Sequence, residues 1–343
     1  MGTATAPGIS LLCIAHPPVA PSPKVTACSI RHRQRQSSVA TLPTVSIRYK
    51  KVHRYLLHNG DIRDTRDAVL SPGQTGFMNG WGVFSTLRVS DGVLFAYPRH
   101  YARMQRDAAL IRVPFTISPE ALHKSLISLI DANHALNATL RVAIVRNKGG
   151  LFEAPQIASE SDLIAFTADL TNWSAGVHLN FVPNGRHGAS PFSGLKVTSW
   201  AQNLTWYEKA HQDGYDEVLL LNEHGDVSEC TSANVFIFRG NEVLTPPLAT
   251  SGCLPGVTRA ILLQEIHLPD WNIREQTITP ADLEAADGAF ISSTTRDLLP
   301  VLTVDKRPLK QASDALNRFL DAFRGYRSAY VLEHSRRKEM FAL

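Results

Sequence analysis

Acidic residues are missing from the first 60 positions of this 343-residue chain. The same stretch holds eight basic residues: Lys24, Arg31, Arg33, Arg35, Arg48, Lys50, Lys51 and Arg54. The overall formal charge of +4 therefore misleads. Residues 61–343 carry 27 Lys and Arg against 31 Asp and Glu, a net of −4. A mildly acidic body lacks the basic footprint of a nucleic-acid partner. Long apolar runs are also missing. Residues Ile9 to Ala15 fall short of the ~18 needed for a span. His16, Pro17 and Pro18 then break the run, so no membrane role is expected. Cysteine is scarce: Cys13, Cys28, Cys230 and Cys253, with no C-x-x-C pair. Neither a metal site nor a disulfide scaffold is expected, and a reducing cytoplasm fits. There is no internal repeat.

What is present has ordinary globular composition, 44% hydrophobic and 19% charged, long enough for two cores. Residues 1–50, rich in Pro, Ser, Thr and Ala, are expected to be a disordered basic extension. Their Arg and Ser content resembles an organelle transit peptide. An incidental extension is the preferred alternative, because composition alone discriminates poorly. Residues 51–168 are read as a smaller α+β domain, 169–176 as a polar linker, 177–330 as a larger α+β domain and 331–343 as a C-terminal tail.

Local patterns support that division. The run from Val83 reads as two strands turning at Asp91-Gly92. Pro98 opens a helix to about Leu110. Ser118-Pro119 caps a second helix, with Leu122, Leu126, Leu129 and Ile130 on its core face. Residues 138–146, 162–168 and 177–182 read as strands. A helix is expected from about Trp200 to Gln212, capped by Ser199 and stopped at Gly214. Pro255-Gly256 turns into another helix, and Gly288 begins a strand with a hydroxyl-rich end. Ser313 caps a last helix with Leu316, Phe319, Leu320 and Phe323 inward. Strands and helices in two mixed halves argue for an α+β fold, not a doubly wound sheet.

The chemistry is carried jointly by residues that are bland singly. Lys196 enters the apolar stretch K-V-T-S-W, where an amine must snorkel or give up its charge. A desolvated amine is a nucleophile toward an aldehyde. Glu229 follows 33 residues later at a strand end. A pyridine-ring cofactor needs such a carboxylate at its ring nitrogen. Val257 and Thr258 begin a helix, whose free N–H groups favour a phosphate dianion. Ser293 and Thr294 add donors, and Arg103 adds a bidentate cation.

The run E-C-T-S-A-N-V-F from Glu229, V-L-T ending at Thr245 and L-P-G-V-T-R from Leu254 resemble the signature of class IV pyridoxal-phosphate aminotransferases. Further matches run from N-G-W-G-V-F-S-T-L-R-V at Asn79 and H-Y-A-R-M at His100 to S-S-T-T-R-D-L-L-P-V at Ser292. Only the first 50 or so residues fall outside. The resemblance implies a two-domain fold with pyridoxal 5'-phosphate between the domains, and a homodimer. It makes Lys196 the Schiff-base lysine and proton shuttle, and pairs Glu229 with the pyridine nitrogen. Arg103, Val257, Thr258 and Thr294 then hold the phosphate. Phe77, Ser85 and Arg141 are the candidate substrate contacts.

Within that family the chain departs from each pattern. Branched-chain enzymes carry Glu where Ser85 stands, although Arg141 matches their Y-x-R strand. The loop from Asn147 lacks the R-x-H pair of D-amino-acid enzymes, which disfavours D-amino acids. Lyases making 4-aminobenzoate from aminodeoxychorismate resemble S-E-C-T-S-A-N from Ser228 but carry a second loop arginine absent here. The expectation is an aminotransferase acting on a small L-amino acid, branched-chain or otherwise apolar, with a 2-oxo acid acceptor. The lyase is the alternative. A cofactor-binding scaffold without catalysis is disfavoured by the presence of both Lys196 and Glu229.

Overall fold

The computed structural model describes residues 51–341, apart from 70, 72, 152–154 and 156, with side chains to 335. The extension expected over 1–50 lies outside the described residues. The described residues belong to one compact unit. They build an α+β fold on two sheets.

The first sheet contains β1 (Val52–His58), β2 (Asp61–Asp64), β3 (Gly82–Ser90), β4 (Val93–Leu94), β5 (Ala138–Arg146) and β6 (Ser161–Asp169). Its order is β2-β1-β6-β5-β3-β4, with antiparallel pairing throughout. Asp91 and Gly92 turn β3 into β4 with φ of 49° and 74°, the left-handed pair such a hairpin needs. A short helix, α1 (Thr75–Asn79), precedes β3. Two longer ones, α2 (Tyr97–Leu110) and α3 (Pro119–Ala132), pack on the sheet. Ser118 Oγ accepts from Ala121 N at 3.2 Å and Pro119 follows it, so α3 starts as its sequence dictates. Leu57, Leu87, Leu126 and Leu140 lie in the core between helices and sheet. Each such buried leucine contributes about 1.5–3 kcal/mol.

β4 spans only two residues and pairs only with Val89 and Ser90. The edge of β3 nearer its start is therefore open, and residues 196–198 fill it. Phe84 N donates to Lys196 O at 3.0 Å and Thr198 N to Gly82 O at 2.9 Å. Gly82 to Ser85 are consequently all buried, and alternation resumes only at Thr86. Gly80 permits the approach: its φ is 62°, and a Cβ there would lie 2.8 Å from Ser199 Cα.

The second sheet contains β7 (Val177–Val182), β8 (Glu217–Leu221), β9 (Val227–Cys230), β10 (Asn234–Arg239), β11 (Glu242–Thr245), β12 (Asn272–Glu275), β13 (Gly288–Ser293), β14 (Asp297–Val304) and β15 (Arg307–Pro308). Its order is β12-β11-β10-β13-β14-β7-β8-β9, and β15 pairs with β14. Four helices accompany it: α4 (Ala201–Gln212), α5 (Leu248–Ser251), α6 (Val257–Gln264) and α7 (Pro280–Ala285). A fifth, α8 (Ser313–Phe341), ends the described chain. Alternate residues of β10 serve opposite faces. Val235 and Ile237 join one core, while Phe236 and Phe238 join Phe319 and Phe323 of α8 in another.

Two local expectations differ from what is seen. Trp200, not Ser199, occupies the cap position of α4, and no side chain caps it. The chain stays extended along β3 through Thr198, so helical geometry begins later. α8 continues helically to Phe341, into the residues expected to form a tail. No helix among the described residues is long and apolar enough to cross a membrane.

Candidate active site

One face of α2 is buried but not apolar. His100, Arg103 and Asp107, spaced i, i+3, i+7, lie beside Tyr101, Met104 and Ala108. Polar groups on a buried helical face must find partners. Arg103 donates to Ser85 Oγ at 2.8 Å, and Ser85 Oγ lies 2.8 Å from His100 Nδ1. Asp107 accepts from the backbone N–H of Lys196 at 3.0 Å. The helix thus fixes both a buried cation and the lysine segment on β3. Burial pushes Arg103 down to about 10, and its Nε has no partner among the described residues. Burial, together with the Arg103 and Lys196 charges, drives His100 well below the ordinary range, so its imidazole is neutral.

Lys196 opens onto a cavity of about 490 Å³. Its Nζ lies 4.7 Å from the Phe84 ring centre and 4.8 Å from that of Trp200, and these rings pack edge to face. No carboxylate pairs with it among the described residues. Desolvation, reinforced by Arg103 and Arg141, brings its amine down to about 7. Near neutral pH a large share of the amine is therefore unprotonated and nucleophilic.

Glu229, at the end of β9, reaches the same cavity. Its Oε1 accepts from Arg186 Nε and its Oε2 from Leu254 N, each at 3.0 Å. A carboxylate so held still has lone pairs for another donor. α6 begins nearby at Val257, and no side chain caps it. Its first N–H groups are open to an anion. Asn234 Nδ2 donates to Leu254 O at 2.8 Å, bracing the loop that leads into α6. Ser293 and Thr294 close the same side of the cavity.

Lys196, Arg103, Glu229, Val257, Thr258, Ser293, Thr294 and Arg141 thus line one cavity. Phe77 and Ser85 do not. Phe77 is 52% exposed on α1, whereas Ser85 is wholly buried against Arg103 and His100. Arg141 lies over the Phe84 ring at 4.6 Å and pairs with no carboxylate among the described residues. Sequence reasoning missed Arg186, Asp107 and Arg296. Arg296 donates to Ser232 Oγ at 3.0 Å, approaches Glu217 Oε2 at 3.5 Å and stacks 4.1 Å over Trp173. The spacing of His100, Arg103 and Asp107 was a usable signal for Asp107. The other two arginines carry none, because their partners are distant in sequence.

The sequence profile of the amino-transferase class IV family matches residues 82–304. A D-alanine aminotransferase of Bacillus licheniformis is 26% identical over 268 residues, 73% of this chain and 88% of its own length. A putative branched-chain-amino-acid aminotransferase of Methanocaldococcus jannaschii is 26% identical over 280 residues, 80% and 97% of the two chains. An aminodeoxychorismate lyase of Bacillus subtilis is 26% identical over 256 residues, 72% and 86% of the two. The crystal structure of the Escherichia coli branched-chain amino acid aminotransferase superposes with a TM-score of 0.74 at 24% identity, covering 80% of this chain and 95% of that one. Another branched-chain amino acid aminotransferase, crystallised with pyridoxamine 5'-phosphate, superposes with a TM-score of 0.72 at 20% identity, covering 80% of this chain and 94% of that one.

Proposed function

The chain belongs to the class IV aminotransferases, and from that premise we propose that it moves an amino group from a small apolar L-amino acid to a 2-oxo acid. Its cofactor is pyridoxal 5'-phosphate. The cavity suits that group on its own chemistry. It offers an unpaired, desolvated amine at Lys196. It also offers a buried arginine whose Nε has no partner and an uncapped helix start, both suited to a phosphate. Arg103, Val257, Thr258 and Thr294 would hold the phosphate, with Ser293 beside them. Glu229 would face the ring nitrogen. When bound, the cofactor supplies a protonated ring that accepts the electron pair left at the substrate's α-carbon.

The chain's own residues do the rest. Lys196 would hold the cofactor through its amine and, when free of it, would move the proton at the substrate's α-carbon. Glu229, fixed by Arg186 and Leu254, keeps its charge aimed at the ring. Arg141 receives the substrate carboxylate, since it has no carboxylate of its own. Phe84, Trp200 and Leu204 give the substrate side chain apolar walls. A homodimer, implied by the family resemblance, and a cytoplasmic location, which the cysteine pattern fits, belong to the same proposal.

The observation that carries this reading is the unpaired Lys196 amine in one cavity with Arg103 and Glu229. Mixing the purified holoenzyme with L-leucine, D-alanine or aminodeoxychorismate tests it. L-leucine should change the cofactor's visible absorption and release the matching 2-oxo acid. The lyase is a second reading, favoured by Arg296, another guanidinium on the wall that a two-carboxylate substrate could use. It requires 4-aminobenzoate and pyruvate from aminodeoxychorismate.

A further inference from the structure

A second cavity, of about 730 Å³, lies between β14, the chain before β7 and the start of α8. It shares Trp173, Thr295 and Arg296 with the catalytic cavity but none of the lysine, glutamate or phosphate-site residues. The two cavities meet at these three residues.

Charge in the second cavity does not balance. Asp297 is its carboxylate, and a single oxygen of it accepts from both Arg88, at 3.1 Å, and Arg327, at 2.5 Å. Arg324, one turn earlier on α8, also lines the cavity and pairs with no carboxylate among the described residues. Two guanidinium groups thus share one carboxylate oxygen, and a third, Arg324, stands beside them unpaired. Arg88 is not a solvated surface charge, because its side chain is only 19% exposed and its buried Nε has no partner among the described residues. A partly buried guanidinium that shares its carboxylate oxygen with another cation is under-compensated, and a further anion relieves that cost. The first 60 residues of the chain contain no Asp or Glu, so that segment offers no side-chain carboxylate. Trp173, Leu302, Leu316 and Leu320 give the cavity apolar ground beside polar residues such as Asn172, Gln311 and Asn317. A volume of this size accommodates a small molecule whole.

We propose that this cavity is a second ligand site, taking a small organic carboxylate with an apolar body, its carboxylate between Arg88 and Arg324. A planar carboxylate matches the two guanidinium forks, and the aliphatic stem covers the leucines. Asp297 competes with the ligand for Arg88.

Calorimetric titration of the holoenzyme with hexanoate tests the assignment. Hexanoate lacks both an amino and a 2-oxo group, so it cannot turn over. Its binding should survive in Arg141→Met, which alters only the catalytic cavity. In Arg324→Met, an exposed substitution that should fold and keep its basal activity, affinity should fall fivefold or more. Asp297→Asn removes the competitor while tolerating the left-handed backbone there, φ 57°, and should tighten binding. A fall of less than fivefold in Arg324→Met, or complete loss of binding in Arg141→Met, overturns the proposal. Both arms read binding rather than turnover. They stay decisive if the enzyme proves inactive on every amino acid.

Discussion

Glu229 accepts a hydrogen bond on each oxygen, from Arg186 on one side and from the Leu254 backbone on the other. The carboxylate therefore cannot swing away from the cavity. Glu229→Gln should be far from silent. The amide has one oxygen and one NH₂, so one of the two donors must face another donor, costing about 1–3 kcal/mol of stability. Turnover should fall about a thousandfold, equivalent to ~4 kcal/mol of transition-state stabilisation. Single-turnover rates and thermal melts on the same preparation check both effects. A rate within a few-fold of the parent would remove Glu229 from the chemistry.

Arg103 depends on a side chain outside the cavity. Ser85 Oγ accepts from its guanidinium and also contacts His100. In Ser85→Ala the guanidinium loses a neutral acceptor worth ~1 kcal/mol, so cofactor affinity should fall about fivefold. Arg103→Lys loses the fork itself and should weaken cofactor binding at least a hundredfold. Equilibrium dialysis of the cofactor measures both. Equal, small effects in the two variants would contradict a phosphate at Arg103.

Gly256 must lack a side chain. A Cβ there would lie 2.1 Å from Asn234 Oδ1. Asn234 is itself held by its bond to Leu254 O, so it cannot yield freely. Gly256→Ala should cost about 1–3 kcal/mol and lower the melting temperature of the cofactor-free protein as well as the holoenzyme. An unchanged melting temperature in the cofactor-free protein would show that the loop shifts at no cost.

The Lys196 amine should titrate near pH 7 in the folded, cofactor-free protein, against an ordinary 10.5. Because the folded pKa is depressed, the unfolded chain binds the extra proton between those values. This group's contribution to stability therefore rises as pH climbs from about 7 toward 10.5. Modification of Lys196 by an amine-selective reagent should accelerate through pH 7 and level off above 8. Acceleration only above pH 9 would place the amine in water.

The limits of sequence reading follow from the same residues. The hairpin at Asp91-Gly92, α2, α3 and β5 announce themselves through local turn and cap chemistry or strict periodicity. Lys196 was legible only because the resemblance spans the whole body; nothing in K-V-T-S-W alone predicts the open edge of β3. Arg186 and Arg296 were illegible because their partners stand 43 and 79 residues away. A lone arginine reads as surface charge until the fold brings its carboxylate close. Ser85 was expected at the substrate, yet β3 buries it against α2, where it supports Arg103. The short β12 and α7, of four and six residues, offer too few positions for periodicity to register.

The account stands on Lys196 as the residue that bonds the cofactor. Borohydride reduction of the holoenzyme, followed by proteolysis and mass spectrometry, measures this directly. The reduced cofactor should be found on the peptide containing Lys196, and Lys196→Ala should yield protein with no covalent adduct. An adduct on another lysine, or an adduct that survives in Lys196→Ala, would contradict it.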